Sequence, residues 1–424
     1  MKIEFSESLN IEHPFFKNDF QTTILQKFNT LINDGKHGFF HLTSEGRYLE
    51  ACKKVHNEFK NKKYFIHVGI GGSALGPQML YSALENNSSV QLSFINNIDP
   101  DDTASVLKKI NVKESLFHIV SKSGGTAETI SALILIIDLL KKNRIEECEF
   151  KNYLVFTTDP VKSELKELSK KWDIKTLEIP SNVGGRFSVL TAVGFLPLLF
   201  CGIDCDSLLK GANELKSEIL ENNVTKNQSI QLASYLAYLL KEKNVYETVL
   251  MPYSSKLKDF SAWFVQLWAE STGKQFNTKK EKIYTGFTPI ASYGATDQHS
   301  QMQLFMEGPY NKCILFIEVK KFQNSLSLAN DLSDFSSFKK LSKYSMNELM
   351  QAEFMGTLKA LKGNNRPYVR VTIPEVNGES LGKLILFFES LTAMIGFYLD
   401  VDCFDQPGVE AGKIYAYEYL DNLK

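Results

Sequence analysis

The sequence predicts an α/β protein with two doubly wound, three-layer αβα sandwich domains built on mainly parallel sheets. Three observations predict it. From Tyr64 onward, short apolar, β-favouring runs (YFIHV, VQLSFI, LFHIV, YLVF) each pass through a polar or glycine-bearing turn into helical material. Parallel strands need such crossovers to return the chain, so the alternation implies parallel sheets with helices on both faces. The rhythm then pauses near residues 200–244, where two helical stretches follow each other. It resumes with VYETVLM (Val245–Met251), CILFIEV (Cys313–Val319) and YVRVTI (Tyr368–Ile373). Finally, 424 residues with 43% hydrophobic content supply more than one domain's core.

Taken in order, residues 1–45 are mixed and punctuated by Asn, Asp and Gly, and read as an N-terminal appendage. Residues 46–200 form the first α/β domain, opened by a helix over about 44–63. Its last apolar run, IKTLEI, leads into a Pro/Gly-marked turn rather than a helix. Residues 201–376 form the second α/β domain. Residues 377–424 are a C-terminal helical segment.

The 48 basic and 49 acidic residues nearly cancel, so the chain lacks the basic excess of a nucleic-acid binder. Any anion must be held by a local pocket. Six scattered cysteines, with no CxxC pair, read as reduced, mostly buried thiols, which suits a cytoplasmic location. The N-terminus lacks the pattern of a secretory signal. Apolar runs such as LILIIDLL (Leu133–Leu140) are too short for a membrane span and read as core. No HExxH and no Cys/His ligand cluster is present, so neither metal nor cofactor is expected.

Three glycine-bearing junctions stand out in the first half. GIGGSALG (Gly69–Gly76) follows a strand and precedes a helix, where open α/β sheets bind ligands. Its spacing is neither GxGxxG nor a P-loop, and it reads equally as a tight turn. SKSGGTAET (Ser121–Thr129) offers Ser121, Ser123, Thr126 and Thr129 hydroxyls, Lys122 and two glycines at a helix start. Free amides, the positive helix end and small hydroxyl donors suit a phosphate monoester better than simple capping requires. NVGGRFSVLTAVG (Asn182–Gly194) places Arg186 in a glycine-flanked turn. It is either a structural cation or one fixed to face developing negative charge.

The second half carries candidate acid–base groups. In FVQLWAESTGK (Phe264–Lys274), Gln266 and Glu270 are four apart and share a helix face. Apolar neighbours are expected to disfavour the ionised Glu270 and make it a useful base. GATDQHSQMQL carries His299 and FDQPGVEAGK (Phe404–Lys413) carries Gln406 and Lys413. Taken singly, a loop histidine and a late lysine are ordinarily surface residues.

Together and in this order, GIGGSALGP, SKSGGTAET, VGGRFS, QLWAESTGK, GATDQHS and FDQPGVEAGK closely resemble the phosphoglucose isomerase family. The resemblance runs from about residue 64 to 413. It implies two sugar-isomerase domains, with an active site between them completed at a homodimer interface. Ser121, Lys122, Ser123 and Thr126 would hold the phosphate of a small-molecule sugar phosphate. Gly72, Ser73, Gln266 and Gln406 would contact the sugar. Glu270 would be the base and Arg186 the cation near the reacting carbons. His299, supplied by the partner subunit, and Lys413 would assist ring opening, with Glu128 supporting the histidine. The activity implied is interconversion of glucose 6-phosphate and fructose 6-phosphate, a step of glycolysis and gluconeogenesis. FDQP stands where many relatives have Trp after the Gln, and Ser-Gly-Gly where animal relatives carry bulkier cradle residues.

Three rivals fit less well. A non-catalytic phosphosugar-binding regulator would not need Glu270, His299 and Lys413 together. An aminotransferase would need a glutaminase domain with an N-terminal Cys. A nucleotide-binding kinase would need a P-loop or kinase signatures. Neither nucleic acid nor membrane is expected as a partner.

Overall fold

A computed structural model describes residues 1–6, 12–84, 88–328 and 334–423. The chain opens with β1 (Lys2–Phe5), α1 (Asn18–Asn33) and α2 (Arg47–Phe59). Strand–helix alternation follows: β2 (Tyr64–Val68), α3 (Leu75–Ala83), β3 (Gln91–Ile95), α4 (Pro100–Lys108), β4 (Ser115–Val120), α5 (Ala127–Lys142), β5 (Leu154–Thr158), α6 (Glu164–Trp172) and β6 (Lys175–Glu178). Three helices, α7 (Ala192–Phe200), α8 (Cys205–Leu220) and α9 (Gln228–Lys243), lead to the second half.

That half begins with β7 (Glu247–Pro252), α10 (Lys258–Thr272), β8 (Lys274–Phe276), β9 (Lys282–Thr285) and β10 (Thr288–Ala291). It continues through α11 (Met302–Glu307), β11 (Lys312–Val319), α12 (Ser336–Leu341), α13 (Met346–Gly363) and β12 (Tyr368–Ile373). The last elements are α14 (Gly378–Leu399) and α15 (Glu410–Asp421).

Helix starts carry local signals. Asp99 caps α4 by accepting from the Asp101 and Asp102 amides, with Pro100 in the first turn. Asn227 caps α9 in the same way, and Ser345 with Glu348 makes a capping box on α13.

The first sheet runs β3-β2-β4-β5-β6, all parallel. The second runs β1-β12-β11-β7-β10, parallel except for β1. Four strands of each sheet share one order, β3-β2-β4-β5 and β10-β7-β11-β12, and the fifth differs: parallel β6 in the first and antiparallel β1 in the second. In each, the order reverses between two neighbouring strands: β2 and β4 in the first, β7 and β11 in the second. Crevices at such points are where open sheets bind ligands.

Residues 1–6 and 12–45, read from sequence as an appendage, are built into the fold. β1 pairs antiparallel with β12, from Lys2 opposite Thr372 to Phe5 opposite Val369. α1 buries Ile24, Leu25, Phe28 and Ile32 and packs on α14. The polar punctuation hid an amphipathic helix whose apolar positions recur at one helical face. Two smaller elements also lay outside the sequence expectation: β10 (TPIA), and the β8–β9 ribbon, which is short and largely exposed.

The C-terminal segment divides sharply. α14 is almost wholly buried and packs against α8, α9, α10 and α1. Among the described residues it alone is long and apolar enough to cross a membrane, yet 89% of its most apolar stretch is covered by other parts of the chain. α15, in contrast, buries no residue.

Candidate active site

The loop after β2 and the loop after β4 flank the reversal point of the first sheet. Gly72 sits in the first of them, and a side chain there would collide with the Gly185 carbonyl carbon and oxygen at 2.4 Å. Only glycine permits this approach, which presses GIGGSALG against the VGGRFS turn. At Gly71, with φ +56°, a side chain would come within 2.9 Å of the Gln266 amide nitrogen of α10. Three stretches distant in sequence therefore meet at one point.

Arg186 is the hub of that meeting. Its guanidinium is buried and donates from Nε to Ser271 Oγ at 2.7 Å. From Nη1 it donates to Glu270 Oε2 at 3.3 Å and to Gln406 Oε1 at 2.9 Å, and from Nη2 to the backbone oxygens of Cys403 and Asp405. Burial pushes its pKa down, opposed by the neighbouring Glu270 charge. With its donors committed in a fixed fork, the cation is oriented before any ligand arrives.

Glu270 is held from both sides. Gln266 Nε2 donates to its Oε1 at 3.0 Å, as the four-residue helical spacing allows, and Arg186 holds its Oε2. The apolar neighbours read from sequence point elsewhere: Leu267 and Trp268 are buried in the core, while the carboxylate is about 31% exposed and meets polar partners. Gln266 Oε1 is buried and accepts from no described side chain or backbone group.

The cradle after β4 is assembled by its own hydroxyls. Ser121 Oγ lies 2.8 Å from Thr126 Oγ1 and accepts from the Gly124 amide at 3.1 Å. Ser123 is exposed, with its hydroxyl 3.4 Å from Thr126 Oγ1. Thr126 is the N-cap residue of α5, so the first-turn amides of a sixteen-residue helix open here. Lys122 departs from expectation. Its ammonium turns away and donates to the Ser181 and Val183 carbonyls, each at 2.8 Å. Burial pushes its pKa down.

The whole chain, residues 1–424, matches the phosphoglucose isomerase family. The chain belongs to that family. It is 39% identical to the glucose-6-phosphate isomerase of Carboxydothermus hydrogenoformans, covering 99% of this chain and 94% of that one. It is 35% identical to the enzyme of the same name from Campylobacter jejuni, covering 96% and 98%. Among solved structures, a hypothetical protein of Thermus thermophilus superposes with a TM-score of 0.91 at 29% identity, covering 99% of this chain and all of that one. A glucose-6-phosphate isomerase of Chlamydia trachomatis gives a TM-score of 0.78 at 25% identity, covering 90% and 74%.

In this phosphoglucose isomerase family member, three expected residues share no hydrogen bond or ion pair with the hub among the described residues. His299 ends a short 3-10 turn and is exposed. Lys413, on the exposed α15, pairs among the described residues with Glu410 one turn earlier, at 2.8 Å. Glu128, in the first turn of α5, lines a small void with Gly69, Asn96 and Asn97. Among the described residues, no cluster of three His, Cys, Asp or Glu side chains could hold a metal ion.

Sequence reading missed Ser271, Lys274 and Asp405. Lys274 donates to the Glu270 carbonyl at 3.0 Å and pairs with Asp405 at 2.9 Å. It thus caps the end of α10 and ties the FDQPG loop to it. Both Ser271 and Lys274 lie inside the AESTGK run, but nothing in their spacing signals that Ser271 meets Arg186, 85 residues earlier, or that Lys274 meets Asp405, 131 residues on.

Proposed function

We propose that this chain interconverts glucose 6-phosphate and fructose 6-phosphate by opening the sugar ring and moving a proton between C2 and C1. The observation that carries the reading is the Glu270 carboxylate, held between the Gln266 amide and the Arg186 guanidinium beside the Gly71–Ser73 loop.

The Ser121, Ser123 and Thr126 hydroxyls and the opening amides of α5 bind the phosphate. Lys122 serves through its backbone and holds the 181–183 turn with its side chain. Anchoring the phosphate fixes C1 and C2 over Glu270, so one base reaches both carbons. Glu270 removes the C2 proton, and the electron pair flows into an enediolate. Arg186 faces the charge that develops on oxygen, oriented in advance by Ser271, Gln406 and the 403–405 backbone. The proton of the C2 hydroxyl passes to O1 and Glu270 returns its proton to C1, which leaves the carbonyl at C2. Gln266 Oε1, which accepts from no group among the described residues, takes a sugar hydroxyl, and Gly72 and Ser73 pack along the sugar.

Ring opening needs a second acid–base group. His299 and Lys413 serve here, with Glu128 supporting the histidine; among the described residues neither His299 nor Lys413 shares a hydrogen bond or ion pair with the hub. A homodimer supplies His299. What supports it is α15, whose exposed face carries Ile414, Tyr415, Tyr419 and Leu420, a surface suited to packing against a second copy. No metal or cofactor enters this scheme, and the enzyme acts in the cytoplasm.

The test is a coupled assay. Purified protein receives fructose 6-phosphate, and glucose 6-phosphate is read through a dehydrogenase that reduces NADP. Turnover without added metal supports the reading. A folded protein that binds the sugar phosphate without turnover overturns it in favour of a phosphosugar-binding regulator.

A further inference from the structure

Two histidines that the reaction does not use lie side by side in the middle of the first sheet. His67 on β2 and His118 on β4 are register partners, and neither exposes any surface. An imidazole buried without partners would be costly, so each nitrogen must be accounted for. His67 Nε2 lies 2.6 Å from the Ser73 carbonyl oxygen. The two Nδ1 atoms are 3.2 Å apart. His118 Nε2 lies 2.6 Å from the Thr157 hydroxyl on β5.

These contacts fix every proton. A carbonyl oxygen only accepts, so His67 carries its hydrogen on Nε2 and leaves Nδ1 bare. Bare Nδ1 must accept, so His118 carries its hydrogen on Nδ1. His118 Nε2 is then bare and accepts from the Thr157 hydroxyl. Burial lowers the pKa of both rings, which keeps them neutral as this pattern requires. The result is a one-way donor chain: Thr157 to His118, His118 to His67, His67 to Ser73.

Its end point is functional. Ser73 closes the 3-10 turn Gly71–Ser73, whose glycines abut the Gly185–Arg186 backbone and the Gln266 amide. We propose that His67 and His118 are positioning residues, whose donor chain from the sheet centre fixes the 71–73 loop against Arg186 and Gln266. The consequence for turnover rests on the reading that this loop packs along the sugar. The proton pattern does not.

Two measurements test it. In histidine-15N-labelled wild-type protein at pH 7, NMR should show His67 as the Nε2–H tautomer and His118 as the Nδ1–H tautomer. The opposite tautomers, or a protonated ring, overturn the chain. Kinetics of His67 variants test positioning. A glutamine side chain places an amide N–H near the Nε2 position, whereas asparagine is too short. His67→Asn should lower kcat/KM for the sugar phosphate about tenfold, with the inhibition constant of inorganic phosphate unchanged within twofold. His67→Gln should recover most of that loss. A purely structural role predicts lower melting temperatures in both variants with wild-type kcat/KM, and that outcome overturns the proposal. Should His67→Asn not fold, Thr157→Val removes the first donor at almost constant volume and should lower kcat/KM about threefold. Wild-type kcat/KM in that variant is equally fatal. A wild-type protein without isomerase activity would refute the proposed reaction, while the NMR pattern would still decide the donor chain.

Discussion

Arg186 and Glu270 lie 84 residues apart in sequence and 3.3 Å apart in space, and the guanidinium that meets the carboxylate also binds Gln406 from a third segment. The contact joins a turn of the first half to a helix of the second. It also places a fixed positive charge beside the group proposed as base, where charge develops during proton transfer.

Glu270→Gln keeps the size of the side chain and its hydrogen-bonding edge but cannot take a proton. Turnover should fall by about a hundred- to ten-thousandfold. Affinity for sugar phosphate, measured by calorimetry, should change little, because the phosphate is held elsewhere. Full activity in this variant would remove Glu270 from its role.

Lys122 separates two meanings of a cradle residue. Its ammonium satisfies two carbonyls of the 181–183 turn, so Lys122→Met should cost about 1–3 kcal/mol of stability. Inhibition by inorganic phosphate should stay within twofold of wild type. Ser123→Ala should do the reverse, weakening phosphate inhibition about tenfold, the loss expected for a hydrogen bond to a charged group, at an unchanged melting temperature. A large phosphate effect from Lys122→Met would return the ammonium to the binding site.

Most of the fold was legible because strand and helix periods differ and alternate cleanly from Tyr64 onward. Residues 1–45 were misread because β1 is four residues long and gains its meaning only from pairing with β12. At the site, order and local motif marked Arg186, Gln266, Glu270 and Gln406, all of which the fold brings together. Sequence could not show that Lys122 turns away, since its partners are backbone carbonyls about 60 residues on. Nor could it show the Thr157–His118–His67 chain, because its members sit on three strands and only register aligns them.

Acid should destabilise the fold in two windows. Burial holds His67 down to about 4, so the folded state stays neutral while the unfolded chain takes up a proton below about 6.5. The unfolded state binds more protons there, so stability is lost as pH falls from about 6.5 to 4. His67 alone accounts for about 3 kcal/mol of that loss. For Glu318, burial raises the pKa, but hydrogen bonds from Arg370, Lys320, Gln351 and Thr372 outweigh it and hold the carboxyl down to about 2. Its contribution is present above about 4.5 and is lost as pH falls toward 2. Melting temperature against pH should therefore decline from 6.5 and steepen below 4.5. His67→Gln should flatten the upper part and Glu318→Gln the lower. An unchanged upper slope in His67→Gln would place the acid sensitivity elsewhere.

His299 offers a test of subunit sharing that needs no structure of the dimer. It is exposed and, among the described residues, shares no hydrogen bond or ion pair with the Arg186–Glu270 hub; the proposed site borrows it from the partner. His299→Ala and Glu270→Gln should each be nearly inactive alone. Unfolded, mixed in equal amounts and refolded, they form mixed dimers in half of the population. In each mixed dimer, one site combines an intact Glu270 with an intact partner histidine, and the other carries both defects. Activity should therefore return to about a quarter of wild type, following the symmetry of an isologous pair. If His299 serves its own chain, every site in the mixture retains one defect and activity stays at the level of the single variants. Lys413→Ala mixed with Glu270→Gln then reports on α15 by the same logic: recovery to a quarter places Lys413 across the interface, and no recovery keeps it with its own Glu270.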